Sequence, residues 1–252
     1  MTRLVGLLGD PVSGSLSPRM QNAAFAARGL DWAYVPLPVD AAGLADAVRG
    51  LVAQGFAGAN VTVPHKTAVA PLCDELDDVA ERAGSVNTLV VRDGRVLGSS
   101  TDGLAVAWVV RPGDHALILG AGGAARAVAP ALLDAGAESV AVATRREAAA
   151  AEFAASSHGV VVATEKEPAD VVVNATPVRD ELFVEPRGGQ TVVDLAYYPD
   201  GRETALVAAA RAAGAEVVDG PEALVRQGTA SFELWTGVPA PVEAMRAAVR
   251  SA

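Results

Sequence analysis

Residues 115–146 read HALILGAGGAARAVAPALLDAGAESVAVATRR, and the order of residue types in them decides the fold. An apolar run, Ala116 to Leu119, enters a glycine turn; an alanine-rich helical stretch follows, and VAVA supplies a second strand. Strand, turn, helix and strand inside about 30 residues is the length of a βαβ unit. Within the turn, Gly120, Gly122 and Ala125 satisfy G-x-G-x-x-A. Glycine serves there because the chain turns tightly and its backbone must come close to a pyrophosphate, whose charge the N–H groups at the start of the helix then meet. A site built for NAD ends its second strand in an acid that holds the ribose hydroxyls. Here Thr144, Arg145 and Arg146 occupy that point. Two guanidinium groups suit a 2′-phosphate and leave NAD no matching group, so the stretch predicts NADP. The plainer reading is a solvated arginine pair with Glu147 as its surface partner.

Outward from this unit, the same rhythm continues in both directions. Toward the C-terminus come strands at ADVVVNATP, TVVDLA and AEVVDG, with helices between and after them. Toward the N-terminus come LVGLLG, a helix from about Pro18 to Gly29, AYVPLPV, a helix near 41–54, and ANVTV. Helices are then expected around 66–72 and 75–82, before a hairpin, VNTLVVRDGRVLGSS, in which Asp93-Gly94 is the turn signal. Alternating strands and helices predict an α/β chain with mostly parallel sheets. It falls into two halves that meet near Asp102 to Asp114.

Composition narrows the function classes. The chain has 252 residues, a net charge of −10 and a pI near 4.8. Nucleic acid, whose phosphates demand a basic footprint, is not an expected partner. No apolar run reaches the roughly 18 residues of a membrane span, and the N-terminus lacks a signal-peptide pattern, so a cytoplasmic protein is expected. One cysteine, Cys73, and three histidines supply no clustered metal-ligand spacing, and no metal is expected.

The stretch 58–68, GANVTVPHKTA, carries the chemistry. Lysine and arginine together number 20, yet only Lys66 and Lys166 are lysines. Arginine stays protonated, whereas lysine can pass a proton, so Lys66 marks a position at which arginine does not suffice. Asn60 and Thr62 share one strand face, and Pro64 stops the ladder just before Lys66, at the carboxyl end where open α/β sheets bind ligands. Asp102 sits at the boundary between halves, as a carboxylate for that lysine or as the N-cap of a helix after it. Near the N-terminus, Ser15 and Ser17 precede a helix, with Ser17-Pro18 a good N-cap and first-turn pair. Gln227 lies on a helix whose Phe232 and Trp235 are core residues.

Taken in order, GDPVSGSLSP, GANVTVPHK, AGSVNT, STDG, GAGGAAR, VVNATP, VDLAYYP and GPEALVRQGTASFELWTG resemble the shikimate dehydrogenase family along nearly the whole chain. The resemblance implies a substrate-binding catalytic domain over 1–102, to which 221–252 return, and a Rossmann-type NADP-binding domain over 103–220. It implies reversible reduction of 3-dehydroshikimate to shikimate by NADPH. Ser15 and Ser17, with Thr62, hold a carboxylate; Asn60, Asn87 and Gln227 bind hydroxyls; Lys66 and Asp102 form the catalytic pair. Cofactor contacts are implied at Gly120, Ala121, Gly122, Gly123, Ala124, Thr144, Arg145, Arg146, Ala175, Thr176, Tyr197 and Gly220. The oligomer it leaves open is a monomer or a homodimer.

The chain departs from the family at several positions. Gly14 and Gln21 stand where histidine is common, and Ser100 where asparagine is usual. Pro177, Val178, Arg179 and Asp180 replace a serine, variable, glycine, methionine run, and Ala223 replaces a methionine near the nicotinamide. Relatives acting on quinate or aminoshikimate share the ring and carboxylate and remain open beside the shikimate reading. A non-enzymatic nucleotide sensor is a third reading, which the intact set of Lys66, Asp102, Asn60, Asn87 and Gln227 opposes.

Overall fold

The computed structural model describes residues 1–163 and 169–251, so Lys166 lies outside the described residues. The chain divides into two compact units, Met1–Thr101 together with the segment from Val225 onward, and Asp102–Leu224.

The first unit is built on a six-stranded sheet. Its strands are β1 (Arg3–Gly9), β2 (Trp32–Pro38), β3 (Gly58–Val61), β4 (Glu75–Leu76), β5 (Thr88–Arg92) and β6 (Arg95–Ser99), in the order β2-β1-β3-β5-β6-β4. Strand β1 lies parallel to both β2 and β3, and β5 closes antiparallel on β3 and β6. Because parallel strands are covered on both faces, β1 reads as a nearly unbroken apolar run, with Val5, Leu7 and Leu8 all buried. Between β5 and β6, Asp93 and Gly94 have φ of 53° and 76°, the doubly positive turn that matches the twist of a hairpin.

Helices α1 (Ser17–Ala27), α2 (Leu44–Ala53) and α3 (Asp78–Ala83) pack around this sheet. Leu44, Val48 and Leu51 recur at helical spacing along α2 and are the residues it buries, beside Leu8, Val61 and Leu89 of the sheet. Two expected helices are corrected. Over 66–72 the chain forms turns and then a 3-10 helix, Ala70–Leu72, because Pro71 has no N–H to continue an α-helical ladder. Over 75–82 the first two residues pair with β6, and the Asp77 carboxylate accepts from the Ala80 N–H at 2.7 Å, so the helix starts only at Asp78.

The second unit is a parallel sheet of β7 (His115–Leu119), β8 (Ser139–Ala143), β9 (Val160–Val162), β10 (Val171–Asn174), β11 (Thr191–Asp194) and β12 (Glu216–Val218). The order is β12-β11-β10-β7-β8-β9, so the chain winds outward from the middle in both directions. Strands β7 and β10 are neighbours but not consecutive, and the carboxyl ends of such a pair form the switch point where open sheets bind ligands. Helices α4 (Gly123–Asp134), α5 (Glu147–Ser156) and α6 (Ala205–Ala212) connect the strands. Ile118, Val128, Leu132, Val142, Phe153 and Val173 are fully buried in its core.

Helix α7 (Gly220–Thr236) contains the boundary between the units, after Leu224, and α8 (Val242–Arg250) follows it. In the first unit, Phe232 of α7 stacks on Phe25 of α1 at 5.4 Å between ring centroids. The Trp235 Nε1–H donates to the Leu89 carbonyl at 2.9 Å, which ties α7 to the sheet. Among the described residues no helix is long and apolar enough to cross a membrane.

Candidate active site

The two asparagines expected to meet hydroxyls stand on neighbouring chain segments. Asn60 is the third residue of β3, whose partner in the ladder is Thr88, and Asn87 immediately precedes β5. Both are buried, at 6 % and 2 % exposure, which obliges their amides to find partners. Asn60 Nδ2 donates to the Asn87 carbonyl at 3.0 Å, and Asn87 Oδ1 accepts from the Thr101 N–H at 2.8 Å. A carbonyl cannot face a carbonyl, nor an amine an N–H, so backbone groups fix which way round each amide stands. Gln227 joins them from α7, its Oε1 accepting from Asn87 Nδ2 at 3.3 Å. Asn60, Asn87 and Gln227 are thus brought together within one unit.

Lys66 follows β3 in a turn that is held close to this group. Its carbonyl accepts from the Val86 N–H at 2.8 Å, one residue before Asn87, and its side chain is half-buried. His65, buried beside it, places Nε2 at 2.7 Å from the Val39 carbonyl. Thr62 lies just past the end of β3 and donates its N–H to the Leu8 carbonyl at 2.8 Å. Beyond the strand the expected alternation ends, and Val63 is 54 % exposed. Ser17 is not the N-cap of α1: the helix starts at Ser17 itself, with Leu16 at the cap and no side chain capping it. The Ser15 hydroxyl instead accepts from the Ser17 N–H at 3.2 Å, so the two serines are held side by side. Asp102 is buried at 7 % exposure and opens a 3-10 helix, Asp102–Ala105, directly after Thr101 in the chain.

In the second unit, the glycine turn has the features a dinucleotide requires. Gly120 takes φ of 110°, and a Cβ there would stand 2.9 Å from Thr176 and 3.3 Å from the Ala175 backbone. A side chain at 120 would therefore push away the loop that follows β10. Gly122 is the N-cap of α4 without any side-chain cap, and nothing lies within 4 Å of where its Cβ would be. An uncapped helix start beside open space fits a pyrophosphate. Ala121, Gly123 and Ala124 complete this turn. Thr144, Arg145 and Arg146 lie past the end of β8, with both arginines exposed. Arg145 reaches Glu181 at 3.9 Å, not Glu147, and lies over the Phe183 ring at 5.8 Å. Gly220 allows a second close approach, since a Cβ there would meet the Ala196 carbonyl at 2.3 Å and Tyr197 at 2.8 Å.

Beneath these loops is a buried carboxylate that sequence reasoning missed. Asp194, at 0 % exposure, accepts from Asn174 Nδ2 at 2.8 Å, from the Ala196 N–H at 2.9 Å and from the Thr204 hydroxyl. Asn174 Oδ1 in turn accepts from the N–H and hydroxyl of Thr176. One side chain thus shapes both the 174–178 loop and the start of the loop that carries Tyr197. Burial raises the Asp194 carboxyl above its ordinary value, while Thr204, the Ala196 N–H, Asn174 and Arg179 pull the other way. Also missed were Tyr34, Thr88, Thr101 and Ser231, which surround the asparagines. Ser231 had a usable signal, its place four residues after Gln227 on one helix. The lone Cys73 is a structural thiol, pushed up to about 11 by burial and by Asp74. Among the described residues no group of three or more His, Cys, Asp or Glu is placed to hold a metal ion.

Comparison with known proteins adds an independent line. Residues 7–89 match the family described as "Shikimate dehydrogenase substrate binding domain", and residues 221–250 match "Shikimate 5'-dehydrogenase C-terminal domain". A "Shikimate dehydrogenase (NADP(+))" of Anaeromyxobacter dehalogenans is 47% identical, over 99% of this chain and 96% of its own. One of Moorella thermoacetica is 45% identical, over 100% and 94%. The crystal structure of shikimate 5-dehydrogenase from Thermus thermophilus, in complex with NADP(H) and shikimate, superposes with a TM-score of 0.88 at 34% identity, covering 99% of each chain.

Proposed function

The chain belongs to the shikimate dehydrogenase family, and from that premise we infer that Lys66 and Asp102 carry the proton in its NADP-dependent interconversion of 3-dehydroshikimate and shikimate. The enzyme is an oxidoreductase acting on a secondary alcohol, in the route to chorismate and the aromatic amino acids. The observation that carries the reading is the convergence of Asn60, Asn87 and Gln227 in one unit, three neutral amides suited to a ring with several hydroxyls.

NADPH, when bound, supplies the hydride, and the residues of the chain position the ring and manage one proton. Reduction of the ketone consumes a proton at its oxygen, and oxidation of the alcohol releases one there. Lys66 donates that proton in one direction and accepts it in the other, and Asp102 orients the amine and balances its charge. Ser15, Ser17 and Thr62 hold the ring carboxylate. The amides hold the hydroxyls away from water. Gly120, Ala121, Gly122, Gly123 and Ala124 cradle the pyrophosphate, and Thr144, Arg145 and Arg146 take the 2′-phosphate. Ala175, Thr176, Tyr197 and Gly220 border the nicotinamide. The reading extends to a cytoplasmic enzyme, as a monomer or homodimer.

General acid–base help of this kind contributes typically ~10² to 10⁴ in rate. Lys66→Ala is therefore expected to lower kcat by at least ~10²-fold, while the dissociation constant for shikimate, read by calorimetry, moves much less. Equal losses in turnover and in binding would count against the proton role.

A further inference from the structure

Strands β10 and β11 lie side by side, with Asn174 opposite Asp194 in the last rung of their ladder. Both strands end in the same way. Asn174 Oδ1 accepts from the Thr176 N–H at 3.0 Å, and Asp194 Oδ1 from the Ala196 N–H at 2.9 Å. In each case a side chain takes the N–H of the residue two further on, an alternative to the ladder, and the chain leaves the sheet there. The two turns are also joined, because Asn174 Nδ2 donates to Asp194 Oδ1 at 2.8 Å and both residues are buried. The role of each atom is forced. A backbone N–H only donates, so Asn174 turns Oδ1 to Thr176 and Nδ2 to the carboxylate. The Thr204 hydroxyl accepts from the Val207 N–H at 3.2 Å, as the cap of α6, and gives its own proton to Asp194 Oδ2. The two oxygens of one carboxylate therefore face different structures: Oδ1 the loops after β10 and β11, and Oδ2 the start of α6. Both loops also rest on a glycine, since a Cβ at Gly120 would stand 2.9 Å from Thr176 and one at Gly220 2.3 Å from the Ala196 carbonyl oxygen.

We infer that Asp194 is a positioning residue for the cofactor: its Oδ1 holds the exits of β10 and β11 as one piece, and with them Ala175, Thr176 and Tyr197. This rests on the proposed reading, in which those residues border the nicotinamide, and it deepens that reading. Hydride transfer depends on where the nicotinamide ring stands, and a misplacement of about 1 Å costs on the order of 10²-fold in rate. The phosphates of the cofactor are assigned to the glycine turn and the arginines, so a loosened pair of exits should cost turnover more than cofactor affinity.

The test separates the two oxygens, by steady-state kinetics with shikimate and NADP at a temperature well below the lowest Tm of the set. Asp194→Ala removes both oxygens, whereas Asp194→Asn keeps Oδ1 toward the Ala196 N–H and alters only the side toward Thr204. Asp194→Ala should lower kcat by at least about 10-fold, with the KM for shikimate within about two-fold, and Asp194→Asn should restore kcat to within about three-fold of wild type. A second pair decides the matter if Asp194→Ala does not fold. Asn174→Ala removes a partner of Oδ1 and should lower kcat by at least about 10-fold. Thr204→Val removes the partner of Oδ2 and the cap of α6, and should lower the Tm while kcat stays within about two-fold. Wild-type kcat in Asn174→Ala overturns the inference. So does a Thr204→Val chain that loses as much turnover as Asn174→Ala, or an Asp194→Asn chain no better than Asp194→Ala, because the losses would then follow stability and not the loops. A wild-type chain that does not turn over shikimate with NADP overturns the proposed function first, and the inference with it.

Discussion

The two units each bury a polar network, and the networks differ in kind. In the first unit, Asn60, Thr88, Asn87, Thr101 and Ser231 form a network of amides and hydroxyls with no charge at its centre. In the second, one carboxylate, Asp194, takes the donors of Asn174, Ala196 and Thr204 together. In the neutral network each amide is oriented by its own backbone partner, Asn60 by the Asn87 carbonyl and Asn87 by the Thr101 N–H. A central anion gathers every donor toward itself and sets the shape of two loops at once. The proposed function assigns them correspondingly different ligands: a ring rich in hydroxyls to the amides, and a phosphate-rich cofactor to the glycine turn and the arginines. What the contrast teaches is that loss of one member should be graded in the first network and abrupt in the second.

The sharpest way to break that contrast is Asp194→Ala. Three buried donors lose their acceptor, and each such loss costs about 1–3 kcal/mol, so destabilisation of about 3 kcal/mol or more is expected in urea unfolding. A loss under about 1 kcal/mol would put the two networks on an equal footing. Next in size is Arg145→Ala combined with Arg146→Ala. Charge-assisted hydrogen bonds of about 1.5–3 kcal/mol each should be lost with NADP and not with NAD. The ratio of kcat/KM for NADP over NAD is expected to fall by at least about 10-fold; equal losses with both cofactors would remove the 2′-phosphate from the account of the arginines.

The smallest effect is in pH. The folded-state Asp194 carboxyl is raised, so the folded chain keeps its proton where the unfolded chain has lost it, and the contribution to stability falls as pH rises from the ordinary carboxylate range through the raised value. Asp194→Asn cannot titrate and keeps a similar shape. Relative to it, the wild-type Tm should be at its best at low pH and decline across that window, and a flat difference would contradict the shift.

Much of this was legible in the sequence, and the rest was hidden for a physical reason. The glycine turn before α4 and the Asp93-Gly94 turn are local signals, fixed by φ angles that few residues adopt. The arginine pair after β8 is equally local. The helix expected over 66–72 failed because Pro71 outweighed an alanine-rich composition, and the start of α3 was misjudged because Asp77 was not read as a cap. Ser17 was read as a cap when its neighbour Ser15 supplies the hydrogen bond within the loop. Ser231 was missed for a different reason: beyond its spacing from Gln227 nothing local marks it, because its partner Asn60 lies 171 residues away and only the fold brings them to 3.0 Å. Asp194 reads as the polar end of an apolar strand until its three donors are seen.

The measurement that tests the central claim most directly is the initial rate of nicotinamide reduction by the purified chain, crossing shikimate and quinate against NADP and NAD. Directed amides in one unit and paired arginines in the other predict strong activity with shikimate and NADP, and much weaker activity when either is exchanged. Equal or faster rates with quinate or with NAD would contradict that assignment of the two networks.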